Sequence, residues 1–404
     1  MQDCGDARPQ QRLGEKRGLV TRRSIYLDHH ATTPVDERVL AAMQPFFARD
    51  FGNAASRTHV FGWRAAAAVE AAREQVAAAV GAPRARDIVF TSGATESNNL
   101  AILGALRSRR RGDRVVTVAT EHRAVLDPCR ALTAEGFSIE VLPVASDGLI
   151  DPDAVRRALT PQTALVSVMA ANNEIGVLQP LAEIGALCRE RGVWFHSDAA
   201  QAVGKIPLDV ETLHIDLLSL TAHKLYGPKG VGALYVRSRA PRVQLTPLFY
   251  GGGHERGLRS GTLPVPLIVG FGCAVEIAAA EREREAVRLS QLRDRLSQTL
   301  DRELPEVHLN GHAESRLPGN LNLSFDGVKA DAILAELPHL ALSAGSACTS
   351  ASAEPSHVLA ALGLSPERRE SALRIGLGRS NTLEEIDLAA AELVRVVRAL
   401  RGHS

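Results

Sequence analysis

The 404-residue chain carries 47 basic and 46 acidic side chains, a formal charge of +1, and 45% of its residues are apolar. That length allows two domains and a sizeable core, and the charge balance excludes strong attraction to nucleic acid or to an anionic membrane. No apolar run approaches the ~20 residues that a membrane span needs.

The opening "MQDCGDARPQQRLGEKRGLVTRRS" is polar and mixed in charge, which predicts a disordered extension over residues 1–23; Asp3, Asp6 and Glu15 argue against a transit peptide. A large domain is expected over 35–280. Its strands are read at "DIVFT" (87–91), "RVVTVA" (114–119), "ALVSVMA" (164–170), "VWFHSD" (193–198), "DLLSLTA" (216–222) and "GALYV" (232–236). Helical patterns such as Asn98–Arg109 and Pro180–Arg191 lie between several of them. This rhythm means crossover connections and a largely parallel sheet covered on both faces. The last two runs are joined by too short a segment for a helix, so one strand is expected to run antiparallel.

After "LRSGTLPVPLIVG" comes a long charged helical segment, about 265–300, then a strand at "GNLNLSF" (319–325) and helices around 329–337 and 383–401. The regular rhythm is lost there. A smaller α+β domain is therefore assigned to 24–34 and 281–404. Its loop 343–356, "SAGSACTSASAEPS", sets Cys348 among small residues. The five cysteines (Cys4, Cys129, Cys188, Cys273, Cys348) are odd in number and scattered, with no CxxC or Cys/His pairing. They predict no metal site and a reducing, cytoplasmic setting. Lysine is scarce, five against forty-two arginines.

In an open α/β sheet, ligands gather outside the carboxyl ends of the strands. Those ends read "TSGATESNN", "TEHRAV" with His122, "NNEIG" with Asn172 and Asn173, "HSDAAQ" with His196, Asp198 and Gln201, and "TAHKLYGPKG" with His223 and Lys224. Each has a bland alternative: an ordinary helix cap at Asp198, a core histidine at His122, a solvated charge at Lys224. Together, an anion cradle at a helix N-terminus, a carboxylate, a histidine and a lysine suit pyridoxal phosphate. The lysine can form a Schiff base with its aldehyde, and the carboxylate can keep its ring nitrogen protonated.

On these segments, with "IYLDHHATTPVDERV", "FGNAASRTHVFGW", "GGGHERGLRSGTLPV", "SAGSACTSASAEPSHVLAALG" and "LRIGLGRSNT", the chain resembles the cysteine desulfurases of the NifS/IscS class, pyridoxal-phosphate enzymes of the class V aminotransferase group. The resemblance runs in order from residue 25 to about 382. It implies fold type I, a mainly parallel seven-stranded sheet in the large domain, and pyridoxal 5′-phosphate as cofactor. It implies that Lys224 binds the cofactor, Asp198 pairs with its ring nitrogen, and His122 stacks on the ring and acts as acid and base. Ala94, Thr95, Thr221 and His223 would hold the phosphate, with Asn173 and Gln201 against the ring and its hydroxyl. Thr262 would reach the phosphate of a neighbouring subunit in a homodimer. Asn53 and Arg374 would bind the carboxylate of L-cysteine. Cys348, as a thiolate lowered in pKa by His122 or another cation, would take the substrate sulfur as a persulfide and pass it to an iron–sulfur scaffold or another carrier. A selenocysteine lyase is the alternative within the fold, and would not demand the thiol. The sequence departs from the pattern at His29 and His30, at Ala54, and in ending at "LRGHS" without the longer tail used for scaffold docking.

Overall fold

Every residue of the runs 88–91, 163–167, 194–198, 217–221 and 232–236 is buried, as a sheet covered on both faces requires. The computed structural model describes residues 24–108, 112–344 and 356–402. The expected extension 1–23 and the stretch bearing Cys348 lie outside the described residues. In chain order the strands are β1 (Ile25–Tyr26), β2 (Ile88–Thr91), β3 (Arg114–Val118), β4 (Ser138–Leu142), β5 (Thr163–Ser167), β6 (Trp194–Asp198), β7 (Leu217–Thr221) and β8 (Gly232–Val236). There follow β9 (Val307–Leu309), β10 (Asn320–Phe325), β11 (Leu340–Ala341), β12 (Ser343–Ala344) and β13 (Ala372–Gly376).

Seven strands form the main sheet in the order β2-β8-β7-β6-β5-β3-β4. β4, β3, β5, β6 and β7 pair in parallel. β8 pairs antiparallel with both neighbours, as its short connection to β7 demands. The sequence pattern does not announce β4: it is an edge strand with Ser138 and Val141 exposed, so it lacks the continuous apolar run of its neighbours. Alternate side chains serve opposite faces. Val116, Val166, Phe195 and Leu218 pack with Val69, Val76 and Phe271 on one face. Val115, Leu165, Trp194 and Leu217 pack with Leu100, Leu103 and Val125 on the other.

The helix Val265–Glu303 is 39 residues long, roughly 58 Å at 1.5 Å per residue. Its Ile268, Phe271 and Val275 belong to the main core. Its Leu292, Leu296 and Leu300 belong to a second core with Leu321, Leu323, Ile375 and Leu393. That second core covers an antiparallel sheet of order β12-β13-β10-β9. β1 pairs with β11, which ties the segment before the main sheet to the second sheet's region. Asp28 then bridges to Gly376, carrying "DHHATTP" across to the strand ends of the main sheet.

Candidate active site

β2 runs parallel to β7, so its carboxyl end opens at the same edge as those of β3, β5, β6 and β7. It delivers Ser92 and Gly93 into the helix Ala94–Arg107. Gly93 takes φ 153°, and no side chain caps the helix. The first-turn amides are therefore left for an anion. A Cβ on Gly232, at the start of β8, would lie 2.6 Å from the Gly93 Cα, so the cradle depends on glycine there.

Asp198 closes β6. Its Oδ2 accepts from Asn98 Nδ2 at 2.6 Å and its Oδ1 from the Ala200 amide at 2.8 Å. No helix follows Asp198, so it is not a helix cap: one oxygen closes the turn at Ala200, while the other is gripped from the cradle helix. Glu121, buried beside it, is pushed well above the carboxylate range by burial and then by the Asp198 charge. His122 caps the helix Arg123–Ala134: its Nδ1 accepts the Ala124 amide at 3.0 Å. That bond leaves the proton on Nε2. Burial, then the Lys224 charge, pushes His122 below the usual histidine range, so at neutral pH it is an uncharged donor.

Lys224 ends the single turn Ala222–Lys224 after β7. The histidine beside it, His223, meets Thr32 Oγ1 through Nδ1 at 3.1 Å, and Thr33 Oγ1 donates to the His223 carbonyl at 3.0 Å. The "ATT" segment thus fixes the lysine turn. His223 is held down to about 4 by burial and then by Lys224 and Lys229. Gln201 donates to the His30 carbonyl at 2.8 Å and accepts from Lys205 Nζ at 3.0 Å.

These groups face one cavity of about 450 Å³ whose wall includes Ala94, Thr95, His122, Asn173, Asp198, Gln201, Thr221, His223 and Lys224. Arg374 is off this wall and wholly buried behind it. Its guanidinium donates to the Asn173 carbonyl (3.1 Å), to Asp28 Oδ1 (2.7 Å) and to Ser343 Oγ (3.3 Å). Asn53 and Thr262 are exposed and do not line the cavity; Asn53 Oδ1 accepts the Ala55 amide. Asn98, Thr32 and Lys229 also line it, and the sequence reading does not single them out. Asn98 has a signal, an amide on the otherwise apolar face of "SNNLAILGAL". Thr32 and Lys229 have only their nearness to the motifs.

The donor set fits pyridoxal 5′-phosphate. Open amides and the Thr95 and Thr221 hydroxyls suit the phosphate, Asp198 retains acceptor capacity for a ring N–H, and Lys224 offers an amine. Fold and site together define a pyridoxal-phosphate enzyme of fold type I. The chain belongs to the aminotransferase class-V family, which it matches over residues 25–388. It is 56% identical to the cysteine desulfurase IscS of Anaeromyxobacter dehalogenans (strain 2CP-C) over 381 residues, 94% of each chain. It is 53% identical to the cysteine desulfurase of Mus musculus, covering 95% of this chain and 83% of that one. Among solved structures, a NifS-like protein superposes with a TM-score of 0.86 at 36% identity, covering 93% of this chain and all of the other. DndA from Streptomyces lividans gives 0.73 at 43% identity, over 87% of this chain and 99% of its own.

Proposed function

We infer that the chain is a cysteine desulfurase, converting L-cysteine to L-alanine and passing the sulfur to a protein thiol. The observation that carries this is the 450 Å³ cavity in which Lys224, Asp198 and His122 meet an uncapped helix N-terminus, in a chain more than half identical to proteins named for that activity. When bound, pyridoxal 5′-phosphate supplies an aldehyde for the substrate amine and a ring that withdraws electrons from the bonds at the substrate Cα.

The remaining work falls to the chain. Ala94, Thr95, Thr221 and His223 hold the phosphate. Asp198, fixed by Asn98 and Ala200, holds the proton on the ring nitrogen, and Asn173 and Gln201 position the ring. Lys224 would hold the cofactor through its aldehyde and, as an uncharged amine, would take the Cα proton. His122, on the cavity wall, would present Nε2–H beside the ring for proton transfer. Because burial holds His122 uncharged at neutral pH, a lowered Cys348 thiol would need a cation other than His122. Cys348 Sγ attacks the substrate sulfur, the substrate C–S bond breaks, and the carbon takes a proton. One cysteine and one thiol become one alanine and one persulfide. Arg374 and Asn53 would bind the substrate carboxylate, which requires the guanidinium to turn from Asp28 or the Asn173 carbonyl and Asn53 to turn inward; the bidentate geometry of a guanidinium suits that group.

A homodimer is part of this reading. It is supported by exposed Phe47, Phe51, Phe61 and Trp63 on one stretch of chain, and by the exposure of Thr262 outside its own chain's cavity. An iron–sulfur scaffold or another sulfur carrier then receives the persulfide. A two-domain division near residue 280 rests on the change of core along the helix Val265–Glu303. Among the described residues no helix is long and apolar enough to cross a membrane, and free Cys129, Cys188 and Cys273 suit a reducing cytoplasm. The test is turnover: L-cysteine should yield L-alanine and, with reductant, sulfide in equal amounts. Alanine without sulfide, or neither, contradicts the assignment.

A further inference from the structure

Three of the five lysines, Lys205, Lys224 and Lys229, crowd this one region. The use of Lys205 is not explained by cofactor contact, since it does not line the 450 Å³ cavity. It lines a second, smaller cavity behind Lys224, bounded by His29, His30, Lys224, Leu225 and Ala278. Its only hydrogen bond among the described residues is the 3.0 Å bond to Gln201 Oε1, and no described carboxylate pairs with it. A cation withdrawn from water without a counter-charge costs several kcal/mol. In a chain that uses arginine for surface charge, such a lysine marks a function.

The neighbours give the function a shape. In its charged form Lys205 can only donate, and it draws the oxygen of the Gln201 amide toward itself. The same oxygen meets His30 Nδ1 at 3.2 Å, and the amide nitrogen donates to the His30 carbonyl at 2.8 Å. The second N–H of Gln201 is then the one group of the amide left for the cofactor cavity. His30 is itself pinned, its ring edge close against the backbone of Gly376.

We propose that Lys205 is a positioning residue for the desulfurase reaction: its ammonium locks the Gln201 amide with nitrogen toward the cofactor, and its charge favours the uncharged form of the Lys224 nitrogen. This rests on the reading above, in which Lys224 carries the cofactor. Like charges in one site cannot both be held near neutral pH, and a cation beside a reactive lysine lowers that lysine's basicity. The groups facing Lys205 leave its charge unanswered. Lys224 and Arg374 repel it and, after burial itself, hold it down to about 7. His29 is held down to about 4 by burial and then by Lys205, and His30 lies well below the histidine range from burial first and then Lys205. On the long helix, Glu281 and Glu285 are engaged elsewhere, with Arg38 and Arg379 and with Arg288 respectively; Arg282 is a further cation on that wall.

The experiment is a pH titration of the visible absorbance of the Lys224-bound cofactor in the holoenzyme, for the parent chain, Lys205→Met and Lys205→Gln. Both variants remove the charge, while glutamine keeps a donor for Gln201. Both should move the absorbance transition upward by about one pH unit, the size expected for loss of one nearby charge, and Lys205→Met should also release cofactor more readily on dialysis. Transitions that coincide with the parent's in both variants, or move downward, overturn the proposal. A parent chain with no visible band overturns instead the assignment of Lys224. Should one variant fail to fold, the other still gives the titration.

Discussion

Replacing Asp198 by asparagine is a test whose size can be worked from the hydrogen bonds. Both carboxylate oxygens already accept, one from Asn98 Nδ2 at 2.6 Å and one from the Ala200 amide at 2.8 Å. An asparagine offers one oxygen and one NH2, so one of the two donors must face another donor. That mismatch costs about 1–3 kcal/mol, and loss of a charge-assisted bond to the ring nitrogen costs about 1.5–3 kcal/mol more. Together about 2.5–6 kcal/mol is lost where the reaction develops charge, or a fall of about 10²- to 10⁴-fold in turnover. Alanine release from L-cysteine measures it, with cofactor content followed by absorbance. The double variant Asn98→Asp/Asp198→Asn separates the two costs. Its new carboxylate accepts from the amide introduced at position 198, so cofactor retention should recover while turnover does not. Turnover of Asp198→Asn within about threefold of the parent would refute the assigned role of this carboxylate.

Stability should fall on the acid side. His196 is fully buried between Ser167 Oγ (2.8 Å) and Ser219 Oγ (3.0 Å), and burial pushes it down to about 4. Between the unfolded value near 6.5 and about 4 the unfolded chain binds the extra proton, so stability rises with pH across that window and is lost as pH falls through it, by about 3 kcal/mol for this residue. Denaturant melts from pH 7 to 4 should show that slope, and His196→Gln should reduce it, leaving the part that His29 and His223 contribute. Glu255→Gln should lower stability by about 3–5 kcal/mol, read as a lower denaturation midpoint. The glutamate holds buried Arg73 through bonds of 2.7 and 2.8 Å and accepts the Phe90 amide at the base of the cradle strand. Arg374→Lys should raise KM for L-cysteine about 10- to 100-fold and change kcat less, because a point charge replaces a planar fork.

The main sheet was legible because parallel strands buried on both faces read as unbroken apolar runs. Residues 88–91, 194–198 and 217–221 fell within one or two positions of the runs that announce them. β4 was not, because an edge strand needs apolar contact on few of its positions, and "SIEVL" keeps only Leu142 buried. The wall of the cavity was legible at the strand ends, where His122, Asp198 and Lys224 stand in short polar words between apolar runs. What the words do not carry is pairing between distant elements. Asn98 meets Asp198 across 100 positions, and His30 meets Gln201 across 171; nothing local in either segment announces its partner. Arg374 shows how a plain motif still leaves its partners hidden. Its motif was plain, yet its guanidinium is committed to Asp28 and the Asn173 carbonyl, behind the cavity wall.

In the proposed reaction the substrate sulfur passes through Cys348. One turnover with L-cysteine in the absence of reductant, followed by peptide mass analysis, tests it directly. The peptide bearing Cys348 should gain roughly 32 Da, one sulfur atom, reversed by dithiothreitol, and Cys348→Ala should abolish both the adduct and sulfide release. Full alanine and sulfide release by Cys348→Ala, or an unmodified Cys348 in a chain that has turned over, would contradict the account.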